Sequence, residues 1–263
     1  MTTPQNGDPY AEIAAWYDLE HDSFTADIEA LSELLAGGRE RLAILEIGAG
    51  SGRLMAALAG AGHSVTGVEP SAAMRARGGR RQATLPERVA RRMRFVEGTA
   101  AAPGLAEPEL FDVALLGLGT YGHLTTAAER EVALRQLYSH LKPDGLLILD
   151  VDIAGPRRLL ETAGQIWRQG SWRADGGRIV THWIVGAPGE QPGTVEVTHL
   201  YDAHTQGGPI HRTLTTMPLA LLSRGEVELA IRHAGFRDTT IYGNYDLAPA
   251  DDQSPRALAT ARR

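Results

Sequence analysis

Between residues 42 and 153, short apolar runs alternate with helix-like stretches. The runs are LAILEIG (42–48), SVTGVE (64–69), MRFVEG (93–98), FDVALLGL (111–118) and GLLILDVDI (145–153). Strands separated by helical segments predict βαβ units and a parallel sheet, because a parallel partner is reached only through a crossover. Ahead of them, residues 9–36 read as helical, with a polar break near Asp22 and Ser23. A helix over 127–141 marks its own start. Thr126 and Glu129 fit a capping box, and Leu134, Leu137 and Leu141 share a face. LKPDG should end that helix, since Pro143 cannot continue it and Asp144-Gly145 makes a turn.

The pattern changes over 178–217, where RIVTHWIV, TVEVTHLYDA and PIHRTLTTM alternate with period two between Gly- and Pro-rich turns. These predict antiparallel strands. Ser223 and Glu226 form a second capping box, opening a helix that ends at Gly235. FRDTTIYG and RALATARR supply two last strands, and LAPADDQSP (247–255) between them reads as a surface loop. No internal repeat and no long linker divides the chain, so one α/β domain with an added antiparallel layer is expected.

The stretch ILEIGAGSGR (44–53) raises a chemical question, because Gly48, Gly50 and Gly52 follow a strand directly. Such a cluster costs backbone entropy and wants a reason. A strand, a glycine turn and a helix start leave free N–H groups and a helix dipole beside a nucleotide-type ligand. The second strand then ends in Glu69, 21 residues after Gly48, where an acid can accept both hydroxyl hydrogens of a ribose. A dinucleotide fingerprint would place its third glycine at position 53, which is Arg53 here.

Composition narrows the partners. The 263 residues are 43% hydrophobic and 22% charged, enough to bury a sizeable core. A net charge of -6 speaks against nucleic acid, which wants a basic footprint. With no cysteine, disulfides and thiolate chemistry are excluded. The polar start MTTPQNGDPY is not a secretory signal, and no apolar stretch reaches membrane-span length, so a cytoplasmic protein that does not engage membranes is expected.

The motifs LEIGAGSGR, VTGVEPSAAM, FDVALLGLGTYGHL and LKPDGLLILDV, in this order and spacing, resemble class I S-adenosylmethionine (SAM)-dependent methyltransferases over roughly residues 10–153 and the last strands. EIAAWYDLEH and GHL resemble, more narrowly, bacterial amino-sugar N-methyltransferases of antibiotic biosynthesis. The resemblance implies a doubly wound, mostly parallel, seven-stranded Rossmann-like sheet with an antiparallel β layer over the substrate pocket. It divides the single domain 1–263 into an N-terminal helical lid (1–36), a cofactor-binding half (37–153), a substrate-roof insertion (163–222) and a final helix with strands (223–263). It also implies SAM as cofactor. Glu46, Gly48, Ala49 and Gly50 would surround its methionine half and Glu69 its ribose, with Pro70 and Met74 near the adenine. Many relatives follow the third strand with Gly-Asp, whose carboxylate accepts from the adenine amino group; here the match is Gly98-Thr99-Ala100, leaving Thr99 a neutral acceptor beside the Ala100 backbone. Leu116 and Gly117 would flank the sulfonium, and Tyr17 would close over the methionine end.

Methyl transfer from a sulfonium is an in-line displacement in which alignment carries much of the rate. An amine acceptor needs only to arrive deprotonated, whereas a hydroxyl needs a base. His123, after the fourth strand, is the foremost acid–base candidate, joined by Tyr17 at the methyl end. Tyr10, Tyr121, His182, His199 and Arg212 are expected on the substrate side. The roof residues Glu196 and His211 add no 2-His-1-carboxylate spacing, so no metal is expected. His63 and the arginine runs 75–82 and 88–94 read as surface. N-methylation of a polar small molecule leads, with O-methylation by a histidine base or a non-catalytic SAM-binding module as alternatives. Arg53 disfavours an NAD(P)-linked oxidoreductase. A homodimer is an open arrangement.

Overall fold

The apolar runs fold as predicted strands in a computed structural model that describes residues 8–37, 41–106 and 109–263. The start of the expected lid, residues 1–7, lies outside the described residues. Two helices come first, α1 (Ala14–His21) and α2 (Ala26–Leu35), separated at the expected polar break. The alternating part follows as β1 (Ala43–Ile47), α3 (Arg53–Gly60), β2 (Ser64–Val68), α4 (Ala72–Thr84), α5 (Glu87–Ala90), β3 (Met93–Val96), β4 (Phe111–Leu116), α6 (Ala127–His140) and β5 (Leu141–Asp152). After α7 (Ala154–Glu161) come β6 (Ile166–Ala174), β7 (Arg178–Pro188), β8 (Thr194–His204) and β9 (His211–Ala220), then α8 (Arg224–His233), β10 (Arg237–Tyr242) and β11 (Arg256–Arg262).

The larger sheet has seven strands in the order β10-β11-β5-β4-β1-β2-β3, and β1 to β5 pair in parallel. β11 runs antiparallel between β5 and β10. Its central strands are buried on both faces, as continuous apolar runs require when helices cover both sides. Alternation divides their side chains: Leu45 and Ile47 join the core under α6 and α8, while Ile44 joins the core under α2 and α3. Both predicted capping boxes are present, Thr126 with Glu129 and Ser223 with Glu226.

LKPDG does not separate α6 from β5. β5 begins at Leu141, and the segment is absorbed as a register shift between the pairs Phe111↔Leu141 and Val113↔Leu146, with Asp144 at φ 62°. α7 and β6 escaped the pattern. Gly155 and Pro156 open α7, and β6 is a charged, bulged edge strand.

The second sheet is antiparallel in the order β6-β7-β8-β9. One face carries Val180, Tyr201, Ala203 and Met217, which pack on Tyr10, Ile13, Trp16 and Leu19. The N-terminal segment is thereby held between this sheet and the strand tips of the larger one.

Candidate active site

The chain runs from β1 outward through β2 and β3, then returns to β4 on the other side of β1. That reversal opens a crevice at the carboxyl ends of the strands. A cavity of about 440 Å³ lies there, lined by residues after each of these strands and by the N-terminal segment. Gly48 and Gly50 show why glycine is required. Both have positive φ, at 73° and 56°. A Cβ on Gly48 would also meet Thr120 Cγ2 at 2.5 Å, whereas one on Gly50 would find Met74 Cε no closer than 3.4 Å. The bare backbone at Gly50 is therefore open to the cavity.

Glu69, just after β2, accepts the Gly50 N–H on Oε2 (2.8 Å) and the Ser71 N–H on Oε1 (2.9 Å). Each oxygen keeps a further lone pair. Burial raises the Glu69 pKa, against the lowering by those two N–H bonds. Ser71 caps α4 by accepting the Met74 N–H at 3.1 Å. Glu46 lines the same cavity, and its Oε2 has no hydrogen-bond partner. Burial pushes this carboxyl up to about 8. A cation entering the cavity would pull it back to the ionised form.

At the other end, His123 closes the one-turn 3-10 helix Thr120–His123 after β4. The Tyr10 hydroxyl lies 3.0 Å from His123 Nε2. Burial raises the Tyr10 phenol and lowers the His123 imidazole to about 4, so the hydrogen bond joins two neutral groups, its direction set by the ring tautomer. Tyr17 stands edge-on to Tyr10 (ring centroids 6.2 Å) and stacks on His21 at 4.1 Å.

The segment carrying Tyr10 and Tyr17 is tied down along its length. Asp8 accepts from the Ser71 hydroxyl, and Pro9 O accepts from Thr215 Oγ1 at 2.9 Å. Asp18 takes Ser51 Oγ, Arg77 and Arg81, and Asp22 takes Arg81. Arg53, where a dinucleotide fingerprint would have glycine, is buried in an ion pair with Asp27 of α2 and donates to Phe24 O at 2.6 Å.

Of the expected residues, Tyr10, Tyr17, Glu46, Gly48, Ala49, Gly50, Glu69, Pro70, Met74, Thr99, Ala100, Gly117 and His123 line the cavity. Others are placed elsewhere. Leu116 and Tyr121 point into the hydrophobic core. Arg212 makes a two-pronged ion pair with Asp202, at 2.7 and 2.8 Å. Strand alternation sets Asp202 on the face opposite Tyr201, away from the cavity. His182 and His199 form a separate row: His182 Nε2 lies 3.0 Å from His199 Nδ1, and His182 Nδ1 lies 2.9 Å from Glu20, which also accepts from the Tyr201 hydroxyl. None of that row lines the cavity. Burial, then the charge of His182, lowers His199 to about 4.

Asp8, Ser71, Met217 and Pro218 line the cavity without having been singled out from the sequence. Ser71 had a readable signal, a serine directly before a helix. Asp8, Met217 and Pro218 had none, because they reach the site through tertiary contacts alone.

Residues 45–147 match the family described as methyltransferase domain. That match spans the sheet core from β1 into β5, the part of the chain that builds the cavity floor. The glycine turn and Glu69 lie in two of the motifs on which the sequence resemblance rested. Solved structures of similar fold include the CcbJ methyltransferase from Streptomyces caelestis, at 23% identity and TM-score 0.75, covering 97% of this chain and 99% of that one. The SAM-bound amino pentose methyltransferase CalS10 from Micromonospora echinaspora, involved in calicheamicin biosynthesis, has 20% identity and TM-score 0.70 over 100% of both chains. The sugar N-methyltransferase KedS8 from a Streptoalloteichus species has 21% identity and TM-score 0.73, covering 100% of this chain and 97% of that one. At these identities the likeness is one of fold. No sequence match was found among curated proteins. Among the described residues no group of His, Cys, Asp and Glu could hold a metal, and no helix is long and apolar enough to cross a membrane.

Proposed function

We propose that this chain is a SAM-dependent methyltransferase that methylates an amine of a polar small molecule, of the amino-sugar class. The observation that carries this reading is the state of His123. Its Nε2 is engaged by the Tyr10 hydroxyl, and burial holds its pKa near 4. A hydroxyl acceptor needs a base matched to neutral pH, worth roughly 10²–10⁴-fold. An amine entering as the free base needs orientation, which is what a tied-down pair of tyrosines and a neutral imidazole provide. CalS10, described as an amino pentose methyltransferase, and KedS8, described as a sugar N-methyltransferase, support the same class.

The lining fits the cofactor. The free lone pairs of Glu69 suit two ribose hydroxyls, and the unpartnered Glu46 oxygen suits the cofactor's ammonium. When bound, SAM supplies a methyl group activated by its sulfonium. Pro70 and Met74 would flank the adenine, and Tyr17 would cover the methionine end. The segment 8–36 would act as a lid that excludes water from the reacting atoms. O-methylation would need His123 or a roof histidine as base; burial depresses His123, and no member of the Glu20–His182–His199 row lines the cavity.

The test incubates the protein with labelled SAM and a panel of amino sugars, sugar hydroxyls and small amines, followed by fragmentation mass spectrometry. A methylated nitrogen on the preferred substrate is expected. A methyl ether there would overturn the amine reading.

A further inference from the structure

The order of the strand tips decides which end of the cavity takes the base of a bound nucleoside. Along the crevice the lining passes from Gly117, Leu118 and Thr120 after β4 to the glycine turn after β1, then to Glu69 after β2 and the Gly98–Ala100 loop after β3. With the acceptor end at His123 and the ribose on Glu69, the purine falls at the tip of β3. This placement rests on the SAM-dependent reading above.

Among the described residues that tip brings no carboxylate into the cavity. Thr99 Oγ1 already accepts the Ala102 N–H at 3.1 Å, and the Thr99 N–H donates to Ala102 O at 3.0 Å. The side chain thus stabilises its own turn, and Thr99 is exposed at the cavity mouth. The neighbouring carboxylate, Glu97, does not line the cavity; it extends to the surface, where Arg75 holds it at 2.6 Å. Arg75 is itself anchored to the carbonyls of Glu69 and Pro70. Of the carboxylates that do line the cavity, Asp8 is engaged by the Ser71 hydroxyl and the Tyr10 N–H, while Glu46 and Glu69 lie at β1 and β2.

We propose that this chain binds its cofactor without a carboxylate contact to the purine 6-amino group, so that donors with that group removed or alkylated occupy the site as well as SAM does. An amino group left at an exposed mouth keeps its hydrogen bonds to water, and deleting it strands no buried protein group. Selectivity for the cofactor then resides in Glu69, the ribose and the amino-acid half.

The experiment is isothermal titration of the full chain with S-adenosylhomocysteine, its N6-methyl derivative and its 6-deamino (purine) derivative. All three are expected to bind within about threefold of one another. Tight binding of S-adenosylhomocysteine with a tenfold or greater loss for the other two would overturn this inference and leave the methyltransferase reading intact. Failure of S-adenosylhomocysteine to bind at all would remove both. Thr99→Asp supplies the missing carboxylate while keeping a group that can hold the Ala102 N–H. In that variant the adenine form should bind at least fivefold tighter than the deamino form, and equal binding would show that the purine edge lies elsewhere.

Discussion

The strand tips of the parallel sheet and the inner face of the antiparallel sheet both carry polar chemistry, built in different ways. At the tips the backbone does the holding: Gly50 and Ser71 N–H groups fix Glu69, and positive φ at Gly48 and Gly50 shapes the floor. On the antiparallel sheet, side chains hold side chains, as in the Glu20–His182–His199 row under Tyr201. A backbone-built site needs a few residues close in sequence. A side-chain row needs partners far apart, such as Glu20 and Tyr201, and depends on the packing between them.

The largest test of that contrast is Glu69→Ala. It removes two charge-assisted hydrogen bonds to a ribose, each worth roughly 1.5–3 kcal/mol. S-adenosylhomocysteine affinity should fall at least a hundredfold by calorimetry while the protein stays folded. Unchanged affinity would break the ribose assignment.

Glu46 gives the next effect, read in stability. Its folded pKa of about 8 lies above the ordinary value of 4.5, so its stabilising effect is complete below about pH 4.5 and is lost as pH rises through 8. The ligand-free protein should lose up to about 4–5 kcal/mol over that window, and Glu46→Gln should flatten the curve. An identical slope in the variant would contradict a buried, unpartnered carboxyl.

The histidine row has the opposite sign. His199 is depressed from 6.5 to about 4, so its contribution is complete above pH 6.5 and is lost as pH falls through 4. Urea denaturation should show about 3 kcal/mol of acid destabilisation from this group, reduced in His199→Gln. Cofactor affinity should change less than threefold in that variant. A larger loss would join the two regions into one site.

His123→Ala should lower kcat/KM about tenfold, or about 1.4 kcal/mol, if the ring only orients an amine. A loss of 10²–10⁴-fold would mark it as a base for a hydroxyl. The smallest effect is expected from Arg212→Ala. The side chain is exposed and engaged with Asp202 away from the cavity, so cofactor affinity should stay within twofold.

Much of the first region was legible because its partners are near neighbours in sequence. The capping boxes at Thr126 and Ser223 span three residues, and the step from Gly48 to Glu69 spans one βαβ unit. Such signals survive in a one-dimensional pattern because local geometry alone decides them. β6 and α7 were not legible, since a charged edge strand and a glycine–proline helix start lack the expected periodicity.

The sequence by itself determined the alternating α/β plan, the left-handed glycine turn and the acid that follows it. The fold decided the protonation chemistry. Tyr10 engages Nε2 of His123 across 113 residues, and no local rule relates those positions. Likewise Arg212 was separated from the cavity by strand parity, because shifting one residue along a strand moves a side chain to the other face. Glu46 shows both influences. The pattern placed it at the end of a buried strand, but only the packed surroundings left one of its oxygens without a partner and raised its pKa.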